Sequence, residues 1–221
     1  KHDTYGGEHD HYDRLGISYM AFGKPVSVDL GTTGYGAVLH YDYYKNTGTH
    51  NTVVIGEENQ APAACRLLQY EDDGETVYVT AECDWTAPYE MPDSFTIVQW
   101  KKENYETVKM TRKIAWTDSC FAEAFYVTGA DEALPVDWIM HLKGEVLEGR
   151  GEVCKDTFSD RKPFSWFRNA SHLEGKRIRT VLEGVVTDLY CAPLGGEIWL
   201  AEGPDNPSTG MLNQVIVRRR G

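Results

Sequence analysis

The sequence predicts an all-β protein built as an antiparallel β-sandwich of stacked sheets. Three observations carry that expectation. Many short runs are rich in Val, Ile, Thr and aromatic residues, and several alternate apolar with polar. Clusters of Gly, Asp, Asn and Pro separate them, as in YEDDGET (70–76), TAPYEMPDS (86–94), VTGADEALP (127–135) and AEGPDNPSTG (201–210). No long window repeats its apolar residues at the 3.6-residue period of an amphipathic helix.

Taken in order, ISYMAFG (17–23), PVSVDLG (25–31) and NTVVIG (51–56) open the series. ACRLLQYE (64–71), TVYVTAEC (76–83), SFTIVQW (94–100), TVKMTRKIAW (107–116), CFAEAFYVTG (120–129) and PVDWIMHL (135–142) continue it. Residues 117–146 read as long paired strands near the middle of a sheet. RIRTVLEGVVTDLYC (177–191), EIWLAEG (197–203) and NQVIVRR (213–219) complete the set. The stretch 155–176 lacks periodicity and is expected to be a long loop, as is DNPSTG (205–210). A soft boundary falls near residue 130, but one continuous sandwich over residues 1–221 is the simpler expectation. The tryptophans Trp85, Trp100, Trp116, Trp166 and Trp199 sit among apolar residues and read as core or sheet-face packing.

With 221 residues, 41% of them hydrophobic, the chain can bury a core. Its 22 Lys and Arg against 34 Asp and Glu give a net charge of −12, which argues against nucleic acid as a partner. No apolar run is long enough for a membrane-spanning helix, so no membrane partner is expected. The five cysteines, Cys65, Cys83, Cys120, Cys154 and Cys191, show no CxxC spacing, which excludes a zinc ribbon or a CxxC redox motif. They are expected as reduced, mostly buried thiols. That places the protein in the cytoplasm, with the periplasm or secretion as the alternative. Asn169-Ala170-Ser171 fits a glycosylation sequon and is given no weight. Lys1 stands directly in front of the first motif, and the chain is expected to be a piece of something longer.

That first motif is GGEHDHYDRL (6–15). On an extended strand His9 and His11 would share one face with Asp13, while Asp10 and Tyr12 point away. Such a pair can hold a metal, move a proton, or sit on a wet surface. Asp29 closes PVSVDLG before a glycine-rich turn, and His50 stands immediately before the next apolar strand. Two His and one Asp form a three-ligand zinc set, and if His11, Asp29 and His50 converge, His9 is left beside the metal for proton chemistry. A cupin, which would use both His9 and His11 on a redox-active metal, needs a glutamate a few residues on; YDRLGIS supplies none.

The ordered pattern Glu8-His9-Asp10-His11-Tyr12-Asp13, Val28-Asp29-Leu30-Gly31 and Thr49-His50-Asn51 resembles the heparinase II/III-like family of polysaccharide lyases. VDWIMHLKG, with Asp137, Trp138 and His141, looks like a later strand of that family. The resemblance implies that His9 is the catalytic histidine reaching the cleft and that His11, Asp29 and His50 hold a structural zinc. It implies β-elimination on a uronic acid: a base takes the C5 proton, the carboxylate charge is neutralised, and a proton returns to the leaving oxygen. His9 would be the base or the carboxylate-side partner. The implied substrates are anionic polysaccharides of the heparin/heparan sulfate, hyaluronan, chondroitin or alginate type. The implied partner domain is an N-terminal α/α toroid. In the loop between the presumed ligands, His40, Tyr44, Lys45 and Asn51 are the substrate-binding candidates, since aromatics and a cation suit sugars and acidic groups. A polar surface loop with buried tyrosine rings is the competing reading. His141 reads as a core histidine, and His2 and His172 as exposed. The reading from a different class is a non-catalytic carbohydrate-binding or metal-braced β-domain.

Overall fold

A computed structural model describes residues 9–90, 99–192 and 195–220. The chain divides into two compact units, one of residues 1–15 and 58–131, the other of residues 16–57 and 132–221. One division therefore falls next to the boundary expected near residue 130. Both units are β-structured, and every strand pair among the described residues is antiparallel. No helix among these residues is long and apolar enough to cross a membrane.

The larger unit begins with β1 (Tyr19–Ala21) and β2 (Lys24–Ser27), a hairpin turned by Phe22 and Gly23, both at positive φ (50° and 74°). Two left-handed residues match the twist of the flanking strands, and Phe22 accepts the strain there. β3 (Val53–Ile55) follows, fully buried.

In the smaller unit, β4 (Cys65–Asp72), β5 (Val77–Asp84), β6 (Lys109–Trp116) and β7 (Phe121–Thr128) form a meander in chain order. Asp72 and Asp73 carboxylates accept the backbone N–H groups of Gly74, Glu75 and Thr76, which closes the β4–β5 turn. Arg112 is buried in this unit, where its guanidinium pairs with Glu123 and donates to the Leu15 carbonyl. The expected strand at 94–100 lies mostly in residues 91–98, outside the described residues.

The chain returns to the larger unit with β8 (Val136–Leu142), β9 (Glu145–Glu148), β10 (Arg150–Thr157), β11 (Arg168–Leu173), β12 (Arg177–Leu182), β13 (Val185–Tyr190), β14 (Glu197–Pro204) and β15 (Met211–Arg219). A six-stranded sheet runs β10-β11-β14-β15-β8-β3, a three-stranded one β13-β12-β9. In the first, Val217 faces both Ile198 and Trp138, which fixes the central register. Its core joins Tyr43, Tyr44, Ile139, Phe164, Phe167 and Ile216 with further apolar neighbours.

Two expectations are corrected. Residues 155–176 are not a loop: they hold the end of β10, a 3₁₀ turn at Phe164–Trp166 and all of β11. β11 pairs with β10 and β14 through shifted registers, and Asn169 takes a positive φ of 52°. Such bulges break the two-residue alternation by which a strand is read. Nor do residues 117–146 form paired neighbours, because β7 ends the meander while β8 joins the six-stranded sheet.

Candidate metal centre

The larger unit brings Asp29 and His50 together. Asp29 lies just past β2, where its Oδ1 accepts the Gly31 N–H at 2.7 Å and its own N–H donates to Ser18 Oγ at 3.0 Å. Gly31 has φ +60°, the left-handed conformation that lets the chain turn under the carboxylate. The other carboxylate oxygen, Oδ2, meets His50 Nδ1 at 2.9 Å.

His50 is buried and follows a 3₁₀ turn at Thr47–Thr49. That turn is held tightly. The Thr49 hydroxyl donates to the Asn46 carbonyl at 2.8 Å, with the Tyr43 and Tyr44 carbonyls also within reach, and a Cβ on Gly48 would meet Pro163 at 2.8 Å. Next along, Asn51 donates through Nδ2 to the Ile17 carbonyl and Ser27 Oγ and accepts the His141 N–H at 2.7 Å. Strand β8, the β1–β2 hairpin and the histidine loop are thereby tied by one amide. His141 is wholly buried; burial first, and the His50 imidazole second, push its pKa down to about 3, so it is neutral.

The four substrate-binding candidates are all interior. His40 opens a π-helical turn (His40–Tyr44), contacts Thr32 Oγ1 through Nδ1 at 2.7 Å, and lies edge-on to Tyr35 and Tyr41. The Tyr44 hydroxyl donates to the Asp205 carbonyl at 2.5 Å, and burial raises its pKa. Lys45 is buried, with Nζ 5.9 Å from the Tyr41 ring centre. Asn51 is committed to the three partners above.

His9 and His11 belong to the smaller unit. The segment that carries them is not the extended strand of the sequence reading but irregular, turn-rich chain. His9 is exposed and His11 half-buried, while Asp10, Tyr12 and Asp13 are all buried. The cause is Asp10: its Oδ1 accepts the His11 N–H at 3.0 Å and its Oδ2 pairs with the buried Arg14 at 2.6 Å. A carboxylate that bonds to nearby backbone and side chain bends the segment out of a strand.

One contributor escaped the sequence reading. Asn206, in the loop after β14, donates to the carbonyls of Leu30 and Thr32 at 2.7 and 3.2 Å and so fixes the loop that starts at Asp29. Its only signal was turn chemistry, the Asp-Asn-Pro sequence, which says nothing of what the loop touches.

Chemically, a carboxylate oxygen and an imidazole nitrogen are zinc donors, and the Asp29–His50 contact suits either of two roles. Both groups can ligate one ion, or Asp29 can orient His50 by accepting its Nδ1 proton while the other ring nitrogen ligates. The residues present fit the ion.

Comparison with known proteins agrees with the fold. A heparinase III gene product matches with TM-score 0.68 at 18% identity, over 100% of this chain and 30% of that one. A mutant of the heparan sulfate lyase HepC from Pedobacter heparinus matches with TM-score 0.63 at 11% identity, again over 100% of this chain and 30% of the other. The chain thus spans under a third of the solved structures it matches. A search of curated proteins gives no match. The family model described as heparinase II/III-like, C-terminal, matches residues 1–159, and the chain belongs to that family.

Proposed function

We propose that this chain is the β-sheet part of a polysaccharide lyase that cleaves uronate-containing anionic polysaccharide by β-elimination. One structural zinc is held by His11, Asp29 and His50, and His9 serves the catalytic cleft. The observation that carries the reading is the Asp29–His50 contact, a carboxylate and a buried imidazole 2.9 Å apart on rigidly tied backbone. Family membership supports it, as does the donor chemistry: two imidazoles and one carboxylate make up a three-ligand zinc set. The matched structures are named for action on heparin or heparan sulfate, which makes that class the first substrate to test.

When bound, zinc supplies a structural brace for the ligand-bearing loops. Proton chemistry falls to this chain's own His9 as base or as partner to the uronate carboxylate, completed by groups of an N-terminal α/α toroid. The compartment proposed is the cytoplasm, with the periplasm or secretion as the alternative. Sugar contact by His40, Tyr44, Lys45 and Asn51 requires their side chains to open toward a ligand, because all four are interior here.

Metal analysis of the purified chain tests the reading. Near-stoichiometric zinc is expected in wild type and in His9→Ala, and loss in His11→Ala and His50→Ala. For Asp29→Ala, complete loss marks a ligand, whereas an affinity drop of about 10–100-fold marks an orienting group. A chain that takes up no zinc sinks the metal reading. Polysaccharide binding without unsaturated uronate product, in the full-length protein, would favour the non-catalytic domain instead.

A further inference from the structure

Cys65 and Cys83 lie outside every site described above, and the fold sets them face to face. They are direct cross-strand partners in the β4–β5 ladder. Both are free thiols and both are buried. Directly opposed residues of an antiparallel pair have Cα atoms about 4.5–5.5 Å apart. A disulfide spans roughly 4.4–6.8 Å. The ladder between them is regular; the bulge in β4 comes later, between Leu67 and Gln69.

The two thiols are not equivalent. Cys65 is the first residue of an edge strand and is 8% exposed, whereas Cys83 is 0% exposed on the inner strand β5. The hydrogen bond with Cys83 lowers the Cys65 pKa, with Arg14 helping, while burial raises that of Cys83. The lowered pKa and the greater exposure of the two both fall on Cys65, which suits it to attack, and its cross-strand partner is placed to resolve.

We propose that Cys65 and Cys83 form a reversible cross-strand disulfide, closed by exchange with a low-molecular-weight disulfide. The Cys65 thiolate attacks one sulfur of the oxidant RSSR; its S–S bond breaks, and RS⁻ leaves and takes up the proton Cys65 gave up. Cys83 then loses its proton and attacks the Cys65 sulfur of the mixed disulfide, and the second RS⁻ leaves as RSH. Two protein thiols are oxidised and one RSSR is reduced to two RSH. In a reducing compartment the pair rests as dithiol, and in an oxidising one it closes.

The test uses the whole chain with the exposed thiols removed as Cys120→Ser and Cys154→Ser, so that three cysteines remain of five. Treatment with oxidised glutathione is expected to remove two of those three thiols, lower the mass by two hydrogens, and join the Cys65 and Cys83 peptides in a map made without reductant. Dithiothreitol should reverse all three. Persistence of all three thiols, or glutathione retained on Cys65 without a bridge, would overturn the proposal. Adding Cys83→Ala should stop the reaction at a Cys65–glutathione adduct. An untouched Cys65 in that folded variant would equally overturn it, because the attacking thiol would be out of reach.

Discussion

The six-stranded sheet and the three-stranded sheet of the larger unit use similar residues under opposite conditions. In the first, β14 and β15 are buried almost end to end; in the second, β13 alternates half-buried with exposed positions. Each sheet carries Arg–carboxylate pairs. Arg218 donates to both oxygens of Asp137 at 2.7 and 2.6 Å, with both residues buried, and to the partly buried Glu57 at 2.7 Å. Arg179 donates to both oxygens of Asp188 at 2.8 and 2.7 Å, with the pair in solvent reach. The geometry is nearly the same and the energetics are not. A buried pair is costly to assemble and costlier to break, whereas an exposed one is screened and contributes little.

The largest expected effect follows from breaking the buried pair. Asp137→Ala leaves Arg218 with one carboxylate in a dry site and is expected to destabilise by about 3–5 kcal/mol. Urea unfolding checks this, and a loss below about 1 kcal/mol would erase the contrast between the sheets. Ile216→Ala, at a wholly buried position of β15, should cost about 2–5 kcal/mol, while Val186→Ala on the exposed face of β13 stays within roughly 0.5 kcal/mol. Equal costs at the two positions would mean that the three-stranded sheet is covered in solution.

Asn51→Ala sits between these extremes. It strands the Ile17 carbonyl and the His141 N–H, and about 1–3 kcal/mol is expected from unsatisfied buried groups. The same variant separates two roles. As a structural tie, it lowers the unfolding midpoint and leaves a raised KM as a secondary result; as a sugar contact, it raises KM at unchanged stability.

What could be read from the sequence follows the same division. β8, β14 and β15 were legible because continuous apolar runs such as EIWLAEG have one reading in a β-rich chain, and Ile178 or Thr180 in β12 could be placed by alternation. β9, β10 and β11 were missed: GEVLEGRGEVCKDT is polar, and the bulge at Asn169 shifts the register. At the candidate centre, the pairing of Asp29 with His50 was expected from residue types in order. The turn at His9–Leu15 was not, since it depends on Asp10 choosing Arg14 and a backbone N–H as partners. Asn206 was beyond reach because its contacts lie some 170 residues back along the chain.

The smallest effect belongs to the exposed pair. Asp188 has its carboxyl held below the ordinary range, first by its hydrogen bonds with Arg179. A depressed folded-state pKa contributes stability that is present above the unfolded value of about 3.9 and is lost as pH falls through the folded value. Asp188→Asn should therefore melt slightly below wild type at neutral pH and low salt, by roughly 1 °C. The difference should vanish in 1 M salt, where the Debye length is about 3 Å. It should vanish again in acid, once wild-type Asp188 is itself protonated. Melting curves at three conditions suffice. A difference that survives both salt and acid would show that the pair acts through packing instead of charge, and would move the three-stranded sheet toward the behaviour of its buried neighbour.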